Sequence, residues 1–237
     1  MMVSFDLDPG SVIAGKYQVI EKLGSGWEGE VYRIVEGATG VECAAKLFFP
    51  ERNINNRAAR TYAKKLHELR DCQCIVKYHT QEWVTWHGTP IAVLISEFVE
   101  GRILSDYLSR LPGKRLTAFQ GTHLLHTLAS GLESIHYYGF YHGDLHPENI
   151  IVRRIGLSYD VKFLDLYQPS GSRRENVSDD ICSAIRIFYD SVGGRKYYSR
   201  QPVQVKEICC GLKRSLILSK FRNASALRLY LENQEWD

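Results

Sequence analysis

The periodicity of the chain changes near residue 100. Before that point apolar residues alternate over strand lengths at 17–23, 29–35 and 41–48, the last run following the turn Gly37-Ala38-Thr39-Gly40. Residues 91–98 are apolar enough for a buried strand, and only 53–69 breaks the pattern, with Tyr62, Leu66 and Leu69 at helical spacing. From Leu104 onwards the spacing predicts helices over 104–111, 118–138, 181–191, 205–216 and 224–231. Leu124, Leu125, Leu128, Leu132 and Ile135 form the apolar stripe of the longest helix. One strand pair interrupts them, 150–154 and 161–164, around the turn Ile155-Gly156-Leu157-Ser158. A strand-rich part followed by a helical part predicts an α+β chain. The boundary falls at 99–105, near Glu100-Gly101, dividing residues 1–99 from 100–237.

Composition narrows the function classes. With 44% hydrophobic and 24% charged residues, the 237-residue chain has ample material for a core, so wholesale disorder is excluded. A formal charge of +3 is too small for a dedicated nucleic-acid binder. No apolar run approaches the roughly 20 residues that span a bilayer, so no membrane partner is expected. The acidic first ten residues lack the apolar stretch of a signal peptide. Cys43, Cys72, Cys74, Cys182, Cys209 and Cys210 have the spacing of neither a zinc site nor a disulfide framework. Reduced thiols and a cytoplasmic location are expected.

Two features of the strand-rich part point to phosphate. Gly24-Ser25-Gly26-Trp27-Glu28-Gly29-Glu30-Val31-Tyr32 lies between two predicted strands. Glycines so placed let a hairpin bring its amides close to a triphosphate, although a plain glycine-containing hairpin has the same sequence. A dinucleotide fold needs a helix opening at the last glycine, whereas residues 30–35 alternate as a strand. Fifteen residues after Val31 comes Lys46, in Ala44-Ala45-Lys46-Leu47. A lysine in an apolar strand either faces water at an edge or meets an anion, and a phosphate is the natural anion beneath such a hairpin.

The most specific segment is Tyr141-His142-Gly143-Asp144-Leu145-His146-Pro147-Glu148-Asn149-Ile150, followed by Phe163-Leu164-Asp165-Leu166 on the second strand of the pair. A carboxylate at Asp144 can orient an attacking hydroxyl and take its proton. Asn149 and Asp165 supply hard oxygen ligands suited to Mg²⁺. Any one of these residues reads equally as a turn former, but all of them in this order do not.

In this order, the glycine-rich loop (Gly24, Gly26, Gly29, Val31), the Ala-x-Lys strand (Ala44, Lys46), the catalytic segment and the metal aspartate resemble the protein-kinase-like superfamily, from about residue 17 to the end. The resemblance implies a bilobal fold, a small antiparallel β lobe with one helix over 1–99 and a mainly helical lobe over 100–237. It implies ATP and Mg²⁺. ATP would be held by Leu23, Gly24, Ser25, Gly26, Gly29, Val31, Ala44, Lys46, Ser96, Glu97 and Val99. Glu97-Phe98-Val99-Glu100-Gly101 resembles the family's hinge, which places adenine on the backbone of Glu97 and Val99, with Ser96 as a small gatekeeper. Asp144, Lys46 and His146 would be catalytic, and Asn149 and Asp165 would hold the metal. Asp180-Ile181-Cys182-Ser183 resembles the start of the helix whose aspartate braces the catalytic loop, and residues 222–227 resemble the closing helix.

The chain departs from the family's pattern at several places. Gly143 replaces the arginine that usually precedes the catalytic aspartate, which argues against switching by loop phosphorylation. His146 stands where Ser/Thr kinases carry lysine; it either hydrogen-bonds a phosphate or packs the loop. Asp165-Leu166-Tyr167 replaces Asp-Phe-Gly, with Leu166 to fill the apolar socket. Only 14 residues separate Asp165 from Asp180, and no Ala-Pro-Glu platform is present. The helix glutamate that pairs with the strand lysine should fall near Tyr62 or Ala63, yet Glu68, more than a turn late, is the only acid there. The expected function is phosphoryl transfer to protein Ser/Thr hydroxyls, the chain's own included, with Ser25, Ser170, Ser172 and Ser178 as candidate acceptors. A small-molecule phosphotransferase is the alternative favoured by His146 and the short segment, and a feebly active binding module is the one favoured by the missing helix acid. Arg173-Arg174 and Arg153-Arg154 read as solvated surface arginines more readily than as guides for an acidic substrate.

Overall fold

The computed structural model describes residues 4–167 and 171–235. The chain divides into two compact units, Met1–Asp71 with Ile75–Val99, and Cys72–Cys74 with Glu100–Asp237.

The first unit is built on six antiparallel strands, β1 (Val12–Ile13), β2 (Tyr17–Ser25), β3 (Gly29–Glu36), β4 (Glu42–Phe48), β5 (Tyr78–Trp86) and β6 (Thr89–Glu97), in the order β1-β2-β3-β4-β6-β5. Helix α1 (Arg57–Glu68) lies between β4 and β5 in sequence. Period-2 alternation sorts the two faces of the sheet. Tyr32, Ile34, Ala45, Leu47, Val93 and Ile95 pack one face with Phe5, which stacks on Phe49 at 5.4 Å. On the other face Ala59, Tyr62 and Ala63 of α1 pack against Ala92 and Leu94. Strand β5 was not expected from the sequence. It is only partly buried, so its alternation is weak, but Trp83 to Trp86 is β-rich and runs into His87-Gly88, both at positive φ (47° and 79°). Helix α1 begins four residues later than the spacing suggests, because Asn55 and Asn56 take left-handed φ of 53° and 58° after short 3₁₀ turns.

One buried carboxylate steadies the start of β3. Glu30, 1% exposed, accepts from Lys22 Nζ (2.8 Å), Ser4 Oγ (2.7 Å) and the amide of Asp6 (3.2 Å), and from the Tyr32 hydroxyl. Burial alone would push its carboxyl up, but Lys22, Tyr32, Ser4 and the Asp6 amide together hold it below the ordinary value.

The second unit contains β7 (Arg102–Ile103), α2 (Leu104–Ser109), α3 (Ala118–Tyr137), β8 (Ile150–Ile155), β9 (Ser158–Phe163), α4 (Arg173–Ser191), α5 (Gly194–Tyr197), α6 (Val203–Cys209), α7 (Arg214–Lys220) and α8 (Ala224–Glu232). Thr117 and Gln120 form a capping box at the start of α3, and its five expected stripe residues are all buried. Cys72–Cys74 belongs here because Phe163 N donates to Cys74 O at 2.8 Å. Two expectations are corrected. Helix α4 starts eight residues before Ile181, at a Ser172–Glu175 capping box, so Asp180 lies within the helix rather than at its start. The helix expected over 205–216 is two helices, since Cys210 and Gly211 take φ of 48° and 58° and turn the chain. No helix among the described residues is long and apolar enough to cross a membrane.

Candidate active site

In the first unit, strand register gathers the expected nucleotide residues. Gly24 pairs with Val31, Val31 with Lys46 and Lys46 with Leu94; Ala44 pairs with Ser96. Directly opposed residues share a face, so Gly24, Val31, Ala44, Lys46 and Ser96 all lie on the face that carries α1. Leu23, 46% exposed, precedes Gly24 at a bulge in β2. The three loop glycines differ in what the fold needs from them. A Cβ on Gly29 would lie 1.9 Å from the carbonyl oxygen of Leu47, so close backbone approach demands glycine there. A Cβ on Gly24 or Gly26 would meet nothing within 4 Å. The protein's own packing therefore leaves the space over those two positions open.

The turn itself is pinned from two sides. Gly26 N donates to Gly29 O and Phe49 N to Glu28 O, each at 2.9 Å. Trp27, 67% exposed, is covered by the Arg52 guanidinium at 3.3 Å from its ring centroid. Ser25 at the end of β2 is exposed. At the other end of the sheet Glu97 N donates to Lys77 O (2.9 Å), and the Glu97 carboxylate accepts from Lys77 N (3.0 Å). Val99 follows as the last residue of this unit.

The surroundings of Lys46 resolve the question of the helix acid. Tyr62 occupies the counted position, its ring centroid 4.6 Å from Lys46 Nζ, so the helix is not shifted by a turn. An aromatic face stands where a carboxylate was sought, and Glu68 is the last, exposed residue of α1. Lys46 instead pairs with Glu28 of the glycine-rich turn, Nζ to Oε2 at 2.9 Å. Nothing in the spacing of Glu28 announces this contact, because it depends on how the turn folds over β4.

In the second unit Asp180 organises the loop of 141–149. Its carboxylate, 1% exposed, accepts from the amides of His142 (2.7 Å) and Gly143 (2.9 Å) and lies 2.9 Å from His136 Nε2. Gly143 has φ of +78°, which an arginine would enter only at a cost, so its presence has a backbone reason. His142 is fully buried, packed edge-on to Phe163 at 5.5 Å, and burial pushes its imidazole down to about 4 despite the opposing charges of Asp180 and Asp144. It is neutral at physiological pH.

This brace leaves Asp144 with its side chain 60% exposed and its backbone held. Asn149 Nδ2 donates to Asp144 O at 3.0 Å and lies 2.9 Å from His146 Nε2, which is itself 3.6 Å from Asp144 Oδ2. These two contacts engage the amide nitrogen of Asn149 and leave its Oδ1, the atom a hard cation would bind, out of both of them. Asp165 takes a left-handed φ of +48° and Leu166 beside it is 5% exposed, while Tyr167 is exposed and its amide donates to His142 O at 2.8 Å. Among the described residues no three His, Cys, Asp or Glu side chains cluster as a metal site. Asn149 and Asp165 would complete such a site only with oxygens from a bound phosphate chain. Of the serines considered as acceptors, Ser172 caps α4 and Ser178 donates to Arg174 O at 2.8 Å; Ser170 lies outside the described residues.

Comparison with known proteins identifies the family. The family model of the protein kinase domain matches residues 17–183, and the chain belongs to that family. Serine/threonine-protein kinase pkn2 of Myxococcus xanthus is 29% identical over 157 residues, 65% of this chain and 18% of that protein. A probable serine/threonine-protein kinase of Corynebacterium efficiens, CE0033, is 27% identical over 198 residues, 82% of this chain and 28% of that protein. The chain thus spans less than a third of the length of these relatives. The Mycobacterium tuberculosis PknI kinase domain has the same fold, with a TM-score of 0.68 at 17% identity over 98% of this chain and all of that one.

Proposed function

We propose that the chain transfers the γ-phosphoryl group of ATP to Ser/Thr hydroxyls of proteins. The observation that carries this reading is the loop of 141–149, where a buried carboxylate fixes the backbone on one side of Asp144 and Asn149 binds the Asp144 carbonyl. Such an arrangement holds a carboxylate in place without engaging it, as a base for an incoming hydroxyl must be.

Residues 1–99 supply the nucleotide contacts in this reading. Gly24 and Gly26 leave room for phosphate against the amides of the turn, and Leu23, Val31, Ala44 and Ser96 offer an apolar and small surface for the base. The backbone of Glu97 and Val99 is the proposed adenine partner, through the Val99 groups and the Glu97 carbonyl, since Glu97 N is already committed to Lys77 O. Lys46 neutralises phosphate charge.

Residues 100–237 supply the chemistry. Asp144 orients the acceptor hydroxyl and takes its proton as the oxygen bonds to phosphorus and the bridging bond to ADP breaks. Asn149 and Asp165 would hold Mg²⁺, which neutralises charge on the transferring group. His146, next to both Asp144 and Asn149, keeps the loop ordered and can donate to the phosphoryl oxygens. A reducing, cytoplasmic setting suits cysteines that are all free thiols in the structure.

The test is incubation with γ-labelled ATP and Mg²⁺, followed by phosphoamino-acid analysis of the chain and of added protein. Label on serine or threonine is expected. ATP loss that needs an added metabolite, with no labelled protein, would favour a small-molecule acceptor instead, and no transfer to any acceptor would leave only a binding module.

A further inference from the structure

Residues 4–7 lie against the back of the glycine-rich hairpin. Phe5 packs with Tyr32 and Ile34, on the face of the sheet opposite the one that gathers Gly24, Val31, Ala44, Lys46 and Ser96. Phe5 is the anchor of the segment: 2% exposed, it stacks on Phe49 at 5.4 Å and meets Trp86 edge-on at 5.7 Å. Its neighbours are bonded to both strands of the hairpin. Ser4 Oγ and the Asp6 amide donate to Glu30, and the Leu7 amide donates to the Tyr32 hydroxyl at 3.1 Å, both residues of β3. Asp6 accepts from Lys22 Nζ of β2 at 2.7 Å, and the same ammonium bonds Glu30. The pairing of β2 with β3 slips twice on the way to the turn, between Val19 and Glu21 and between Lys22 and Gly24. A ladder so interrupted fixes the turn poorly by itself.

We propose that residues 4–7 are a strap that holds the glycine-rich turn where its amides reach a phosphate chain, with Phe5 and Glu30 as the positioning residues. Two routes lead from the strap into the turn. Glu30 follows Gly29 and pairs with Ser25, the last rung of the ladder before the turn. Phe49, on which Phe5 stacks, gives its amide to Glu28 O at 2.9 Å. Contacts from backbone amides to phosphate depend on where the turn stands. The base instead rests mainly on Ala44, Ser96, Glu97 and Val99, which lie outside the hairpin and receive none of the strap's hydrogen bonds just named. Loosening the strap therefore costs phosphate binding and spares adenosine. The inference rests on reading the glycine-rich turn as a nucleotide site.

Phe5→Ala empties the anchor, Phe5→Leu restores its apolar bulk, and Lys22→Gln, at a side chain 32% exposed, cuts the link to β2 without opening the core. Calorimetry with adenosine, ADP and inorganic tripolyphosphate, on these variants and the wild type, separates the possibilities. ADP and tripolyphosphate should each bind about ten-fold more weakly to Phe5→Ala and about three-fold more weakly to Lys22→Gln, the worth of one partly exposed ion pair. Adenosine affinity should stay within about two-fold in both, and Phe5→Leu should bind ADP within about two-fold of the wild type. In transfer assays the KM for ATP should rise by the same factors with kcat unchanged. Lys22→Gln decides the matter by itself where Phe5→Ala does not fold. Equal losses for adenosine and ADP overturn the proposal, because the strap would then only stabilise the strands, and so does ADP binding unchanged in the folded variants. Both of those results leave the nucleotide reading standing, whereas a wild type that binds none of the three ligands removes that reading and the strap's role with it.

Discussion

The glycine-rich turn with Lys46 and the loop around Asp144 are held by different kinds of contact. Around Asp144 the fixing interactions are to backbone amides and are buried: Asp180 and His142 are 1% and 0% exposed, and the chain path itself is bonded to the Asp180 carboxylate. Around Lys46 they run between side chains and are partly wet, a Glu28 ion pair, the Tyr62 ring and the Arg52–Trp27 stack. A buried carboxylate that satisfies several amides cannot be removed without orphaning them, whereas a half-exposed ion pair can be exchanged for another at little cost. The difference teaches where this chain can vary. Departures from the family's pattern occur in both regions: in the Asp144 loop Gly143 and His146 leave the backbone bonds to Asp180 in place, whereas around Lys46 the Tyr62 ring and Glu28 change which side chains touch the ammonium.

Substitutions can break or sharpen this contrast. The largest effect is expected from Asp144→Asn, which should lower phosphoryl transfer by roughly 10² to 10⁴ while leaving nucleotide affinity unchanged, read by initial rates and calorimetry. Asp180→Ala comes next. It strands the buried His142 amide and the half-buried Gly143 amide and should cost roughly 3 kcal/mol in urea unfolding, with transfer lost alongside. A similar magnitude should appear on acidification. His142 has a folded pKa below its unfolded value of 6.5, so the unfolded chain takes up the proton first and stability falls as pH drops from 6.5 to about 4. The loss is on the order of 3 kcal/mol, and unfolding curves of His142→Gln should be flatter across that window. The smallest effect belongs to the other region. Tyr62→Leu removes the ring beside Lys46 and should weaken ADP binding by about two- to five-fold, the worth of one partly exposed cation–π contact. Were Tyr62→Leu to cost as much stability as Asp180→Ala, the contrast between the two regions would be gone.

The same contrast explains what could be read from the amino-acid order. The Asp144 loop was legible because its residues lie within a few positions of one another, and a run such as His142-Gly143-Asp144 with Asn149 admits few other readings. The Asp180 brace was anticipated by resemblance, although the helix around it begins earlier, at a Ser172–Glu175 cap that the sequence does contain. Four of the six strands of the sheet, β2, β3, β4 and β6, and the α3 stripe followed from alternation, an apolar run and 3.6-residue spacing. Strand β5 escaped because its side chains are half exposed and alternate poorly. The Glu28–Lys46 pair escaped for a different reason. It joins residues 18 apart through the path of a turn, and nothing about an isolated glutamate between two glycines says which cation it will meet. The position that the helical spacing points to is Tyr62, whose ring lies against Lys46, while the carboxylate that pairs with the ammonium comes from the turn, which no spacing along α1 could show.

One paired measurement tests the role of Asp144 most directly: Mg²⁺–ATP affinity and γ-phosphate transfer to protein, taken on the same preparations of the wild type and Asp144→Asn. Equal affinity with transfer reduced at least about a hundred-fold in the variant is the expected result. Transfer that continues undiminished without the Asp144 carboxylate would contradict it.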